Sequence, residues 1–250
     1  YKVSSSLNKN NYLNMHHSPK IKVLAFDIFG TVVDWHSSII QEVERLALNI
    51  NANQFALDWR AGYRPAIDQV LSGQQPWTSI DDIHRLILDE LLAKYQISTL
   101  TEAQKMDLNF IWHRLNPWPD TVAALNQLKQ DYIICTLSNG NIRLLGDLAK
   151  YAKLPWDTIF SAENFNAYKP SPQTYLGVAD LLNVAPRQVM MVATHQDDLA
   201  AARGCGLRTA YIERPFEYGA AQLKDSSPCI DNNLHATDLL NLVSLLKEKA

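Results

Sequence analysis

The sequence predicts an α/β protein in which a doubly wound parallel sheet carries an inserted all-helical region. Four apolar segments, at residues 21–28, 132–137, 189–193 and 208–212, have the length of strands and do not alternate polar with apolar residues. Continuous apolar runs of this kind are typical of strands buried on both faces of a parallel sheet. Helical patterns separate the last three runs, and this alternation favours a doubly wound sheet.

The helices of the predicted core follow from capping residues and apolar periodicity. Asp120 is expected to cap a helix that runs through Gln130. Further helices are predicted at residues 141–150, 171–182 and 197–205, and a closing amphipathic helix at residues 237–247. These helices would cover the sheet along its faces and at one edge.

The long interval between the first two strands shows helical periods and no convincing strand. Ser79 with Asp82, and Thr101 with Gln104, have the spacing of helix-capping pairs, and Trp112 is expected to pack internally. The sequence therefore predicts a core domain at residues 20–34 and 116–250, with a helical cap domain at residues 35–115.

Residues 1–19 differ from the rest in composition, because they are rich in Ser, Asn, Lys and His and contain no apolar stretch. We expect this tail to be disordered. Since the chain does not begin with Met and Met15 lies just ahead of the first strand, residues 1–14 are interpreted as an expression remnant or upstream read-through.

Composition narrows the class of protein. The 250 residues are 47% hydrophobic and 20% charged, enough apolar material for a substantial core. A net charge of −3 gives no basic field for nucleic acid, so a small-molecule partner is favoured. Apolar runs stay shorter than the roughly 20 residues of a membrane span. Three cysteines without disulfide or metal spacing favour a reducing, cytoplasmic location.

The first predicted strand ends in a carboxylate, Asp27, followed by the glycine turn at Gly30. Ligands of open α/β sheets bind at the carboxyl ends of strands. An aspartate after a strand is also common as a turn residue, and taken alone this ordinary role would be the better interpretation of Asp27.

Four motifs in order change that interpretation. Asp27 with Gly30 and Thr31 is followed by residues 137–140, then by Tyr168-Lys169-Pro170, and then by residues 192–198. This series resembles the haloacid dehalogenase superfamily, and the resemblance covers residues 20–215. It implies a Rossmann-like core with a helical cap inserted after the first motif, and Asp27 as a covalent nucleophile.

The other motif residues have physical roles beside such a nucleophile. A carboxylate held near a cation in a dry pocket loses solvation and gains alignment, and Lys169 is the natural cation. Thr31 and Ser138 offer hydroxyls, and Asn139 an amide, to orient the nucleophile and bind substrate. Asp198 opens a helix, so capping is its ordinary role; by resemblance it also positions Lys169 or the hydrolytic water.

Phe29 decides between two chemistries of the superfamily. Its phosphatases carry a second Asp at this position to protonate a leaving alkoxide, whereas a halide departs without a proton. An aromatic residue there resembles the 2-haloacid dehalogenase branch. By the same resemblance Arg60 binds halide and Tyr175 belongs to the substrate site; a surface arginine and a core tyrosine are the ordinary alternatives.

The resemblance implies a two-step hydrolysis of a 2-haloacid. Asp27 attacks the carbon that bears the halogen, halide leaves toward Arg60 and Asn139, and water then attacks the aspartyl ester to release a 2-hydroxy acid of inverted configuration. No metal or other cofactor is needed. Related dehalogenases commonly form dimers, so a homodimer is expected as well.

The fourth motif departs from the best-known dehalogenase pattern. Ala193 and His195 stand where that pattern has a serine and an asparagine. His195 is interpreted as a base near neutral pH, as a hydrogen-bond donor to substrate, or as a residue that caps the strand end. Arg64, one helical turn beyond Arg60, indicates a more polar pocket than a simple haloalkanoate requires.

Three alternatives stay open at this point. In a magnesium phosphatase, Asp27 and Asp198 would be hard oxygen ligands, and Phe29 argues against it. A phosphonate hydrolase would need a lysine in the first cap helix, and residues 36–49 contain none. A non-catalytic binding member is the third, and the joint presence of Asp27, Lys169 and Asp198 argues against it.

Overall fold

The computed structural model describes residues 20–248, so the predicted tail lies outside the described residues. The first half of the chain forms β1 (Val23–Phe26), β2 (Val33–Asp34), α1 (Trp35–Arg45), α2 (Ala52–Leu71), α3 (Ile80–Lys94), α4 (Glu102–Asn109), a 3₁₀ turn (Phe110–His113), β3 (Asn116–Pro117) and α5 (Thr121–Leu128). The second half forms β4 (Ile133–Ser138), α6 (Ile142–Tyr151), β5 (Thr158–Ser161), α7 (Ala162–Phe165), α8 (Pro172–Leu181), a 3₁₀ turn (Pro186–Gln188), β6 (Val189–Ala193), α9 (Gln196–Gly204), β7 (Arg208–Ile212), β8 (Leu234–Ala236) and α10 (Leu239–Glu248).

The main sheet is parallel throughout, as predicted, and has the strand order β5-β4-β1-β6-β7-β8. The four predicted apolar segments are its strands β1, β4, β6 and β7. From β1 the chain runs to β4 and β5 on one side and then crosses to β6 on the other. The order thus reverses beside β1, and a crevice at this switch point is where such sheets bind ligands.

Helices cover both faces of the sheet, and the side chains of β1 show why the strand is continuously apolar. Leu24 and Phe26 pack into the layer that includes the inserted helices, α5, α6 and α10, while Val23 and Ala25 pack against α8 and α9. Successive residues of a strand point to opposite faces. Each of the four is fully buried, so β1 is held from both sides.

Three features of the core differ from the sequence predictions. Strands β5 and β8 were not predicted; they are short edge strands of four and three residues. The helix after Asp120 ends at Leu128, and the Asp120 side chain does not cap it. Its carboxylate instead accepts two hydrogen bonds from Arg214, at 3.0 and 2.8 Å, and one from the backbone N–H of Leu239. A long-range ion pair has replaced the local cap.

A two-stranded antiparallel ladder joins the inserted helices to the sheet. Strand β2 pairs with β3, so the chain segment that leaves the core is bonded to the segment that returns. The ladder touches the turn after Asp27: the backbone N–H of Trp118 and the hydroxyl of Thr121 both donate to the carbonyl oxygen of Val32. The junction and the first motif therefore form one unit.

Residues 35–115 are helical, as predicted, and the two capping pairs are present. Ser79 accepts from the backbone N–H of Asp82, and Thr101 with Gln104 forms a complete capping box. Within residues 20–248, no helix combines the length and apolar character needed to cross a bilayer. The division of the chain into two domains at residues 34 and 116 stays a prediction.

His113 connects the inserted helices to the core. Its Nε2 lies 2.9 Å from Asp81 on α3, and its Nδ1 lies 3.0 Å from Asp147 on α6. Burial alone would lower the pKa of His113, but the two carboxylates outweigh burial and raise it. A protonated ring donates to both aspartates at once, so the charged form stabilises this contact.

Replacing His113 by glutamine is expected to cost more stability in acid than in alkali. Because the folded-state pKa is raised, the stabilisation is fully present below the unfolded value of about 6.5 and is lost as pH rises through the folded value. We expect a loss of about 1–3 kcal/mol at low pH from two charge-assisted hydrogen bonds. Urea unfolding of both proteins at mildly acidic and alkaline pH measures it, and an equal loss at both would contradict the assignment.

Candidate active site

Loops at the carboxyl edge of the sheet bring the predicted site residues together. Asp27 follows β1 directly, and Asn139 follows β4. Lys169 lies in the loop before α8, His195 precedes α9, and Asp198 is in the first turn of that helix. Because parallel strands end at the same edge, residues far apart in the chain meet in one crevice.

The carboxylate of Asp27 accepts hydrogen bonds on both oxygens and is 7% exposed. Oδ1 accepts from the Lys169 ammonium at 3.0 Å, and Oδ2 accepts from the Thr31 hydroxyl at 2.8 Å and from His195 Nδ1 at 3.2 Å. Burial would raise the pKa of Asp27, but the charges and hydrogen bonds of Lys169 and His195 hold it well below its usual range. The carboxylate is therefore ionised and fixed in direction.

The glycine of the first motif is needed for a close approach. Gly30 has a positive φ of 85°, and a Cβ built there would lie 2.3 Å from Glu217 Oε1. The next residue, Thr31, accepts a hydrogen bond from the backbone N–H of Thr194, so the Thr31 hydroxyl proton is directed at Asp27. Any larger residue at position 30 would displace the Glu217 carboxylate beneath the turn.

Lys169 bridges two carboxylates, since its ammonium also donates to Asp198 Oδ2 at 2.5 Å. Tyr175, predicted to belong to the substrate site, is among the residues that line the cavity, and its hydroxyl donates to Asp198 Oδ1 at 2.6 Å. Asp198 does not cap α9, whose N-cap residue is His195. Burial, together with the charge of Asp27, raises the pKa of Asp198. Tyr175 thus contacts Asp198, and Asp198 in turn contacts the lysine ammonium.

Phe29 lies on the wall of the cavity opposite these charges. Its ring makes edge contacts with Trp112 and His84, at centroid distances of 5.7 and 6.4 Å, and His84 stacks on Trp112 at 4.1 Å. Trp112 is packed internally as predicted, at 2% exposure, and also lines the cavity. Burial lowers the pKa of His84 to about 3, so the ring is neutral. This wall offers no acid in place of Phe29.

Arg60 projects from α2 into the same cavity. Its guanidinium lies 4.8 Å from the centre of the Tyr63 ring and 5.9 Å from that of Trp35. Among the described residues, its Nε is buried without a hydrogen-bond partner, as are His84 Nδ1 and Trp112 Nε1. A buried N–H group without a partner is costly, so this side of the cavity suits a bound anion.

Asn139 and Ser138 shape the core side of the cavity. The Asn139 carbonyl accepts from the backbone N–H of Lys169 at 2.8 Å, and its amide donates to the Tyr63 hydroxyl at 3.0 Å. Ser138 accepts from the backbone N–H of Gly140. Asn139 therefore positions the lysine loop and joins it to α2, with its amide group on the side where an anion would sit.

His195 lies between two carboxylates. Its Nε2 is 2.9 Å from Glu217 Oε1, while its Nδ1 contacts Asp27. Burial would lower the pKa of His195, but Glu217 and Asp27 outweigh burial and raise it to about 9. In the resting site the ring is therefore a cation with both N–H groups donated, and the role of His195 in the reaction stays a prediction.

Sequence reasoning missed four contributors: Tyr63, His84, Glu217 and Lys224, whose ammonium donates to Glu217 Oε2 at 2.6 Å. Tyr63 lies one helical turn from Arg60, so helical spacing alone places it on the same face. Glu217 has no such signal, because it lies in the loop after β7 and nothing distinguishes it among 26 acidic residues.

All of the predicted site residues except Thr31 line a cavity of about 720 Å³ between the sheet edge and α2. Arg64 lies at its exposed side, where it pairs with Asp68 at 2.9 Å and approaches Asp197 to 3.9 Å. Arg64 is thus engaged by carboxylates rather than directed at the nucleophile. The interior combines the ionised carboxylate of Asp27, cations on two sides and an aromatic wall, an arrangement suited to attack on a small anionic substrate.

The chain belongs to the haloacid dehalogenase-like hydrolase family, whose model matches residues 21–206. This match spans the four motifs and the inserted helices.

Individual proteins similar to this chain include 2-haloacid dehalogenases. The (S)-2-haloacid dehalogenase 4A of Burkholderia cepacia is 30% identical over 213 residues, which cover 82% of this chain and 89% of that protein. Among solved structures, an L-2-haloacid dehalogenase is 44% identical with a TM-score of 0.87, and covers 91% of this chain and 100% of its own. A defluorinating L-2-haloacid dehalogenase is 41% identical, also with a TM-score of 0.87, over 91% and 95% of the two chains.

Proposed function

We propose that the protein is a 2-haloacid dehalogenase, which hydrolyses a carbon–halogen bond next to a carboxylate through an ester on Asp27. The main support is the state of Asp27, which is a buried, ionised carboxylate aligned by Lys169, Thr31 and His195. In addition, position 29 holds a phenylalanine and therefore supplies no acid. Such a site activates a nucleophile without supplying a proton to a leaving group. Halide is the leaving group that this arrangement serves.

The first step is attack by Asp27 on the carbon that bears the halogen. Oδ2 accepts from both Thr31 and His195, whereas Oδ1 accepts from Lys169, the one partner it has within residues 20–248. Oδ1 therefore keeps more of its lone-pair density for the substrate. The new C–O bond forms as the carbon–halogen bond breaks, and the halide takes the bonding electrons.

The departing halide moves toward Arg60, because a positive guanidinium with an unpartnered Nε lies on that side of the cavity. Asn139 contributes its amide group beside it. Water then attacks the carbonyl carbon of the ester and releases a 2-hydroxy acid. Only the first step touches the stereocentre, so the configuration is inverted.

A magnesium ion, which the phosphatase alternative requires, does not fit the residues present. Asp27 and Asp198 would be its carboxylate ligands, but the Lys169 ammonium already lies within 3.0 and 2.5 Å of their oxygens. Phe29 also leaves an alkoxide without a proton donor. The proposed reaction therefore uses no cofactor, and a screen of phosphate esters with Mg²⁺ should give no turnover above background.

A halide-release assay on the two enantiomers of 2-chloropropionate tests the proposal. The relatives named above act on (S)- or L-2-haloacids, so we expect release from the (S) enantiomer alone. In a single turnover in water labelled with heavy oxygen, the label should enter Asp27, because water attacks the aspartyl carbon. Label found directly in the hydroxy acid, or no halide release from any 2-haloacid, would reject the mechanism.

The cytoplasmic location, the homodimer and the absence of nucleic-acid or membrane partners stay part of the proposal. They rest on composition, on the odd number of cysteines and on the resemblance.

A further inference from the structure

We propose that Arg214 is a positioning residue for the nucleophile, because it holds the backbone of the turn after β1 so that the Thr31 hydroxyl keeps Asp27 aligned for attack. The inference rests on the proposed function, since it concerns the rate at which Asp27 forms the ester. Arg214 lies in the loop after β7 and does not line the cavity. It therefore acts only through the residues that it contacts.

The guanidinium of Arg214 is buried, at 6% exposure, and its direction is fixed by its partners. Nε donates to the carbonyl oxygen of Thr31 at 3.0 Å. The other two nitrogens donate to the two carboxylate oxygens of Asp120, at 3.0 and 2.8 Å. A bidentate pair fixes the plane of a guanidinium, so the direction of Nε–H is fixed as well. A lysine ammonium cannot reproduce this set of three planar donors.

Asp120 is held in turn by other parts of the core. Its side chain is 11% exposed, and Oδ2 also accepts from the backbone N–H of Leu239 at 2.8 Å, where α10 begins. On the other side, the ring of Trp118 lies 5.3 Å from the Arg214 guanidinium, within the range of a cation–π contact. The position of Arg214 is therefore set by the segments that precede α5 and α10.

The turn that Arg214 contacts has three consecutive carbonyl groups that other segments hold. Each of them accepts a hydrogen bond from a side chain: Gly30 from Trp118 at 2.9 Å, Thr31 from Arg214 at 3.0 Å and Val32 from Thr121 at 2.9 Å. A buried carbonyl that loses its donor is costly, so the backbone shifts to find another partner. Arg214 is the donor to the middle carbonyl, and its loss would release the turn at the residue that contacts the nucleophile.

Thr31 connects this turn to Asp27. Its hydroxyl donates to Asp27 Oδ2 at 2.8 Å and accepts from the backbone N–H of Thr194 at 3.0 Å. A shift of the Thr31 backbone therefore moves the hydroxyl that orients the attacking carboxylate. Misplacing reacting atoms by about 1 Å costs up to about 100-fold in rate. Because Arg214 is not part of the cavity lining, substrate binding should be unaffected.

The variant Arg214→Lys tests the positioning role, because it keeps the positive charge and removes the planar donors. With (S)-2-chloropropionate, single-turnover halide release should slow about 10–100-fold at saturation, while the substrate concentration for half-maximal rate stays unchanged. Arg85→Lys is the matched control. It makes the same change at an arginine that pairs with Asp89 and Glu102 outside the cavity, and it should release halide at the wild-type rate.

A double-mutant cycle separates positioning from a purely structural role. If Arg214 acts through the Thr31 hydroxyl, Arg214→Lys made in a Thr31→Val protein should slow ester formation by less than about 3-fold, because the hydroxyl is already absent. Intact-protein mass spectrometry of the ester follows the same step independently. An equal loss in both backgrounds would mean that Arg214 is only structural, and it would overturn the inference.

Asp120→Asn is the milder variant, and it decides the question if Arg214→Lys does not fold. The amide keeps one oxygen for Arg214 but removes the charge and the second acceptor, so we expect a smaller loss with the same dependence on Thr31. A folded Arg214→Lys protein that forms ester at the wild-type rate, or failure of both variants to fold, would overturn the inference. A wild-type enzyme that forms no ester would instead remove the proposed function.

Discussion

Replacing Asp27 by asparagine is expected to lower halide release from (S)-2-chloropropionate by roughly 10⁴-fold or more, the scale of removing a covalent nucleophile. The amide is nearly the same size and keeps a carbonyl acceptor for the Thr31 hydroxyl. It has no charge to pair with Lys169 or His195, and it cannot attack carbon as a carboxylate does. The loss should therefore appear in the formation of ester and not in substrate binding.

Single-turnover halide release, measured with substrate above saturation, separates these two outcomes. Asp131→Asn is a suitable control, because it makes the same change at an exposed position outside the cavity. We expect the control to match the wild-type enzyme. A folded Asp27→Asn protein that kept more than a few percent of the burst rate would show that another group attacks the substrate.

Replacing Lys169 by methionine is expected to lower the rate of ester formation by about 10²–10³-fold. Lys169 is the cation between Asp27 and Asp198, and because none of the three side chains is more than 10% exposed, the arrangement depends on the charge of Lys169. Without it, two carboxylates face each other in a dry site, and one of them takes up a proton at neutral pH. If Asp27 is the one protonated, the nucleophile is lost, and raising the pH should recover part of the rate.

The matched control is Lys129→Met, which removes a partly exposed lysine paired with Asp157 near the start of β4, whereas Asp27 follows the end of β1. Breaking a buried ion network destabilises by about 3–5 kcal/mol, so urea unfolding must accompany the kinetics. A Lys169→Met enzyme that folds and forms ester at the wild-type rate would contradict the role of the ammonium. Unchanged rates for Lys129→Met would show that the effect belongs to the site.

The sequence was sufficient where a local pattern and the final structure agree. Strands such as Val189–Ala193 are buried on both faces, so a continuous apolar run in the sequence predicts them directly. Strands β5 and β8 escaped because Thr158–Ser161 and Leu234–Ala236 are short and only partly buried, so hydrogen bonding to a neighbour, and not composition, makes them strands.

The residues of the site likewise fall into those that a local motif predicts and those that only the folded chain brings into place. Asp27 and Lys169 were predictable because each lies in one of the four ordered motifs, Asp27 directly after β1 and Lys169 in the loop before α8. Glu217 was not, because its position under Gly30 depends on the path of the loop after β7. The raised pKa of His195 could not be predicted for the same reason, because the pKa of a histidine depends on partners that only the folded chain supplies. Asp120 shows the converse, a local capping signal overridden by Arg214.

The β2–β3 ladder has a mechanical consequence. Both crossings between the sheet and the inserted helices pass through it, and its Trp118 donates to the carbonyls of Val32 and Gly30, a few residues from Asp27. The inserted helices are therefore attached to the sheet at the turn that follows the nucleophile. Because the Arg60 guanidinium lies 5.9 Å from the ring of Trp35, the residue directly after β2, the anion-binding side of the cavity is anchored at the same junction as the turn after the nucleophile.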